Sequence, residues 1–217
     1  MLKVGLTGGI ASGKSVVGEM FVALGAHLVQ ADHIAHSLME PGEAVYNEVV
    51  RHFGRQILHA DGTVNRAKLA EAAFGTPGAN NPAAPSRIQE LNRIVHPAVI
   101  RRQEEWMDSI AVKDPRGVAI VEAALLIEAG AAKRFDRLIV VTCTTEQRAE
   151  RFASRHGVDL EIARAEVGRR MAAQLPDEEK IKAADYVIDN SGSIADTRER
   201  VNVVWEKLGA AVENRTV

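Results

Sequence analysis

Short apolar runs recur along the chain, separated by helical patterns. They cover residues 2–7, 27–31, 117–121, 137–142 and 185–188. Each is rich in β-branched residues and bounded by Gly, Asp or Asn, the pattern of strands buried on both faces. Strand candidates alternating with helical segments predict an α/β fold around a five-stranded parallel sheet. A helix is expected over 14–24, stopping near Gly25. Residues 43–112 show no convincing strand-like run and read as a helical insertion. Within them, residues 75–85 (GTPGANNPAAP) are too rich in Gly, Asn and Pro for helix and predict a surface loop. His96 precedes Pro97, and the sterics of that position favour a helix end or bend there.

The first apolar run leads into Gly8-Gly9-Ile10-Ala11-Ser12-Gly13-Lys14-Ser15, which matches GxxxxGK[ST] between a strand and a helix. Glycines let backbone N–H groups turn inward on an anion, and the helix N-terminus adds positive potential. Lys14 can reach the β- and γ-phosphates of ATP, and the Ser15 hydroxyl can ligate Mg²⁺. No Asn-Lys-x-Asp base-reading motif occurs, which speaks against a guanine-nucleotide switch. Glu122 ends the third run, where it either serves Mg²⁺ through water or simply closes a strand. Asp32 follows the second run, on the rim where parallel sheets bind ligands. A carboxylate there can accept a proton from an attacking hydroxyl or cap the next helix, and residue type leaves both open.

The 217 residues carry 27 Lys and Arg against 29 Asp and Glu, a net charge of −2. This balance argues against a nucleic-acid or membrane-surface protein without excluding a local anion site. One cysteine excludes an internal disulfide and a CxxC zinc site; Cys143 reads as a small buried hydrophobe. No run approaches the length of about 18 apolar residues that a spanning helix needs, and a soluble cytoplasmic protein is expected. His33 and His36 lack a third partner for a metal, and Trp106 and Trp205 sit in helical patterns as packing residues. Arg148, Arg151 and Arg155 fall on one helix face, with Arg169 and Arg170 in a second helical pattern. Their planar forks suit phosphate, while interspersed Glu146, Glu150, Glu161 and Glu166 offer ordinary ion pairs.

Longer patterns carry a resemblance. Gly5-Leu6-Thr7 ahead of the loop, Ala31-Asp32-x-Ile34-Ala35, Glu40-Pro41-Gly42, Leu91-Asn92-x-Ile94-Val95-His96-Pro97 and Leu125-Leu126-Ile127-Glu128 follow in order. Gln174, Lys180 and Ala184-Asp185-Tyr186-Val187-Ile188-Asp189-Asn190-x-Gly192 complete it. Over nearly its whole length the chain resembles dephospho-CoA kinases. The resemblance implies a three-layer P-loop NTPase fold with a nucleotide core (about 1–42, 113–144 and 176–217), a helical acceptor-binding insertion (about 43–112) and an arginine-bearing lid (about 145–175). It implies transfer of the ATP γ-phosphate to the ribose 3′-hydroxyl of dephospho-CoA, with Mg²⁺; no obligate protein partner is evident in the sequence. Asp32, Lys14 and Arg151 would be catalytic, with Asp32 the base or hydroxyl-positioning residue. Gly8, Gly9, Ala11, Ser12, Gly13, Lys14, Ser15, Val16, Arg155 and Asn190 would bind ATP; Asp32, His36 and His96 would bind the acceptor. The chain departs from the family at Gln30, often Asp, at His36, usually Arg, and at Ala124, commonly Pro. A nucleoside or nucleotide kinase on the same scaffold, or a nucleotide-dependent switch, are the alternatives.

Overall fold

The computed structural model describes residues 1–74 and 87–214; the loop expected at 75–85 lies outside them. Five strands, β1 (Leu2–Gly8), β2 (His27–Gln30), β3 (Val118–Glu122), β4 (Arg137–Thr142) and β5 (Tyr186–Asp189), form one parallel sheet in the order β2-β3-β1-β4-β5. The helices are α1 (Lys14–Ala23), α2 (Ala31–Leu38), α3 (Ala44–Phe53), α4 (Arg66–Phe74), α5 (Ile88–Lys113), α6 (Thr145–His156), α7 (Leu160–Ala172), α8 (Asp177–Ala183) and α9 (Ile194–Glu213). All five expected strands are present, each within one residue of its expected bounds. Among the described residues no helix is long and apolar enough to cross a membrane.

The chain divides into two compact units, one of residues 1–30 with 107–217 and one of residues 31–106. In the first, β1 is central because its alternate residues fill a core on one face. Leu2, Val4 and Leu6 pack with Ile120, Ile139, Val141 and Ile188 of neighbouring strands, with Val17 and Phe21 of α1, and with Val201, Val204 and Leu208 of α9. Trp205 packs against this cluster, its ring 6.4 Å from that of Phe21, in the packing role expected of it. On the opposite face Gly5 leaves room for Leu138, Phe135 and Leu126, each close to where a Cβ would stand. Parallel pairing sets Leu6 beside Glu122 and Gly8 beside Val141, so the carboxyl ends of β1, β3 and β4 share one rim.

Helices α6 and α7 follow β4 in the same unit. A capping box between Thr144 and Gln147 starts α6, and Gly157 in the left-handed region stops it. Asp159 caps α7 by accepting from the Glu161 N–H at 2.8 Å. Phe152, Ala163 and Val167 join the two helices, and Ile10 of the glycine-rich loop packs against them. Most arginines here pair with acids: Arg164 with Glu146 and Glu161, Arg169 and Arg170 with Glu166. Hydrogen bonds from Arg169, then Arg170, hold the Glu166 carboxyl down to about 2.

The second unit buries Ile34 and Leu38 of α2, Val45, Val49 and Phe53 of α3, Leu69 and Ala73 of α4, and Val95 and Val99 of α5. Two expectations need correction here. Asp32 lies inside the first turn of α2, which begins at Ala31, so it is not the residue before the helix. The second strand ends at Gln30 for the same reason. Helix α5 runs through Pro97 instead of ending at His96. Proline removes one backbone bond, and the buried pair Val95 and Val99, one turn apart, spans the gap and holds both sides in register. The segment between α3 and α4 is not wholly helical either: Leu58 and Val64 form an isolated antiparallel bridge, closed by the bond from the His59 N–H to the Thr63 carbonyl.

Phe21→Ala should lower unfolding free energy by about 3–5 kcal/mol in urea titration, since the ring is fully buried in the main core and its removal leaves a cavity there. Glu166 is depressed in the fold, so its stabilisation is present above its ordinary value of 4.5 and is lost as pH falls towards about 2. Glu166→Gln should therefore show a shallower acid-side decline in the urea midpoint than the wild type.

Candidate active site

Residues 8–15 connect β1 to α1 over the carboxyl rim of the sheet. Other groups press closely on the loop at two of its glycines, and at Gly13 the backbone conformation itself favours glycine. Gly13 has φ +94°, and a Cβ there would lie 2.0 Å from Asn190 Nδ2. A Cβ on Gly9 would lie 2.0 Å from Arg148 Nη1. Ala11 adopts φ 52°, the one non-glycine residue in the left-handed region among those described. Lys14 leads α1, and its Nζ donates to the Gly8 and Gly9 carbonyls, 3.0 Å each. The ammonium thus lies folded over the loop, on carbonyls that an anion's oxygens can replace.

Donors from outside tie the loop's carbonyls down. The Ser12 carbonyl accepts from Asn190 Nδ2 at 2.9 Å and from Arg151 Nη1 at 3.1 Å. Arg151 also donates to the Asn190 carbonyl at 2.9 Å and to that of Ala11 at 3.5 Å. Buried Asn190 is oriented by the Thr197 hydroxyl, which donates to its Oδ1 at 2.9 Å. Cys143 follows β4 and is half-buried, not fully buried as expected; its thiol donates to the Ala11 carbonyl at 3.9 Å. Burial pushes that thiol up, against the pull of Arg148 and Arg151.

Beside the loop, the Ser15 hydroxyl donates to Glu122 Oε1 at 2.9 Å, and Gln30 Nε2 donates to Glu122 Oε2 at 2.9 Å. Glu122 is buried at the end of β3. A hydroxyl and a carboxylate held together this way are a hard-oxygen donor set, which suits Mg²⁺.

The expected site residues are distributed as follows. Gly8, Gly9, Ala11, Ser12, Gly13, Lys14, Ser15, Arg151 and Asn190 come together around the loop. Val16 is exposed on α1, and Arg155 is exposed on α6 and makes none of these bonds. Asp32 and His36 stand one turn apart on α2, Asp32 exposed and His36 half-buried. Burial, then nearby Arg66, lowers the His36 imidazole, with His33 adding to this and Asp32 opposing it. His96 is exposed on α5.

Two groups lie outside the site residues that the sequence indicates. Arg148 is buried against the loop; its place on the face shared with Arg151 was the available signal. The other is a buried cluster. Lys180 Nζ lies 3.0 Å from Glu128 Oε1 and donates to Gln174 Oε1 at 3.4 Å, while Glu128 accepts from the Leu175 N–H at 3.2 Å. Three separate motif residues thus converge where α7 gives way to α8.

Comparison with known proteins agrees with this geometry. The family model for dephospho-CoA kinase matches residues 2–196. A dephospho-CoA kinase of Aquifex aeolicus is 40% identical over 96% of this chain and 98% of its own. One of Syntrophotalea carbinolica is 39% identical over 96% of this chain and 92% of its own. The solved structure of the dephospho-CoA kinase from Campylobacter jejuni superposes with a TM-score of 0.67 at 25% identity, covering 96% of this chain and 98% of that one. A glycine-rich phosphate loop occurs in many enzymes, but a match running from the first strand into the last helix does not arise from that loop alone, and the chain belongs to the dephospho-CoA kinase family.

Proposed function

We propose that the chain transfers the γ-phosphoryl group of ATP to the ribose 3′-hydroxyl of dephospho-CoA, giving CoA and ADP. The observation that carries this reading is the phosphate loop, held open by Arg151 and Asn190, in a chain similar over nearly its full length to dephospho-CoA kinases. Inward N–H groups of the loop and the N-terminus of α1 bind the phosphates, with Gly8, Gly9, Ala11, Ser12, Gly13, Lys14 and Ser15 as the cradle. Val16, Arg155 and Asn190 complete the nucleotide site.

Lys14 leaves the Gly8 and Gly9 carbonyls for the β- and γ-phosphates. Ser15 and Glu122 would hold Mg²⁺, which neutralises phosphate charge when bound. Gln30 keeps Glu122 aimed at Ser15. Asp32 takes the proton of the attacking 3′-hydroxyl, and Arg151 neutralises charge as the phosphoryl group moves. The helical insertion presents the acceptor, with His36 and His96 as contacts. Burial and Arg66 hold His36 towards its neutral form, so it offers a hydrogen bond where an arginine would offer charge. Lid closure over residues 145–175 keeps water, a rival acceptor, from the γ-phosphate.

A coupled assay of ADP release with dephospho-CoA, adenosine and AMP tests the reaction. Turnover is expected with dephospho-CoA; turnover with adenosine or AMP alone identifies a different kinase, and hydrolysis indifferent to all three a switch. Asp32→Asn should lower kcat by about 10²–10⁴ with ATP affinity unchanged, and a full-rate variant refutes the base. Lys14→Ala should abolish turnover, as measured by the same ADP release; an unaltered rate refutes the assignment of the loop.

A further inference from the structure

Arg148 is the largest fully buried side chain among the described residues, 1% exposed. It projects from α6 against the phosphate loop, not into solvent. Its Nη2 donates to the Asp177 carboxylate and, at 3.4 Å, to the Cys143 carbonyl. Its Nε and Nη1 have no acceptor and no solvent contact. Nη1 is the atom that presses on Gly9.

Buried donors are nearly always satisfied, and one left without an acceptor is destabilising. A charged guanidinium with two such donors favours any state that supplies oxygens to them. The loop it touches is built for a polyphosphate, and a guanidinium fork matches phosphate oxygens two at a time. The other arginines on this face are placed differently. Arg151 is engaged by three carbonyls, and Arg155 is exposed. Asp177, by contrast, is a partner that phosphate oxygens can replace: its side chain is 31% exposed and it meets the guanidinium through one nitrogen.

We propose that Arg148 is a phosphate-binding side chain of the ATP site, held by Asp177 in the nucleotide-free chain and taken over by the ATP phosphates on binding. The inference rests on the reading of residues 8–15 as an ATP loop. It makes Asp177 and ATP competitors for one guanidinium, so removing the arginine and neutralising the aspartate act in opposite directions. A merely structural ion pair makes both substitutions act alike, since either one breaks the same contact.

The test is calorimetric titration of the full-length protein with MgATP, alongside the thermal midpoint of each variant without nucleotide. Arg148→Met should weaken ATP binding about 10- to 100-fold, the range for loss of a hydrogen bond to a charged group. Its thermal midpoint should stay level or rise, because the unsatisfied donors are gone. Arg148→Lys should fall between it and the wild type, and Asp177→Asn should bind ATP more tightly than the wild type. Unchanged affinity in Arg148→Met, or weakened binding in Asp177→Asn, overturns the proposal. If Arg148→Met does not fold, Arg148→Lys and Asp177→Asn decide by the same opposition. A wild-type protein that does not bind MgATP overturns the reading of the loop itself, whereas wild-type binding that the variants leave unaltered overturns only the role of Arg148.

Discussion

A loop that binds phosphate through backbone N–H groups has to keep its carbonyls turned elsewhere. At Ser12 this is done by two donors from distant parts of the chain, Asn190 after β5 and Arg151 on α6, both bonded to one carbonyl oxygen. Peptide groups are planar, so holding the oxygen outward aims the next N–H inward. The side-chain-free position at Gly13 follows from this, because Asn190, which braces the loop, occupies the space a Cβ would need, while Gly9 leaves room for the Arg148 guanidinium. The sheet contributes by setting the carboxyl ends of β1, β3 and β4 on one rim.

The arginines of α6 and α7 divide according to burial. Arg164, Arg169 and Arg170 pair with glutamates in solvent, where such pairs contribute little to stability. Arg148 and Arg151 turn into the protein, where a guanidinium interacts more strongly with any acceptor offered to it than it would in water. An overall charge of −2 conceals this local concentration of positive charge under the loop.

Departures from the family pattern have physical readings in the fold. Gln30 brings an amide donor to the Glu122 carboxylate, where the aspartate that the resemblance often places there would bring a second negative charge. Ala124 retains a backbone function, since its carbonyl accepts from the Thr7 hydroxyl at 3.2 Å. His36 is held towards its neutral form by burial and by Arg66, which makes it a poor substitute for a fixed positive charge.

The sheet and the phosphate loop were legible in the sequence because both are local. A buried parallel strand is a short apolar run, and the loop is eight consecutive residues between a strand and a helix. The ordered motifs from Gly5 to Gly192 carried the family. What only the tertiary structure decided were contacts between residues far apart in sequence: Asn190 on Ser12, Gln30 and Ser15 on Glu122, Lys180 on Glu128, and Arg148 on Gly9. Helical spacing put Arg148, Arg151 and Arg155 on one face without distinguishing them, because rotation of that face towards loop or solvent is set by Phe152 packing on α7. The same holds for Pro97, where local sterics predicted an end to the helix and the buried residues on either side carried it through. Sequence thus determined the elements and the loop chemistry, and packing determined which charged groups lose their water, since desolvation depends on neighbours that no local pattern contains.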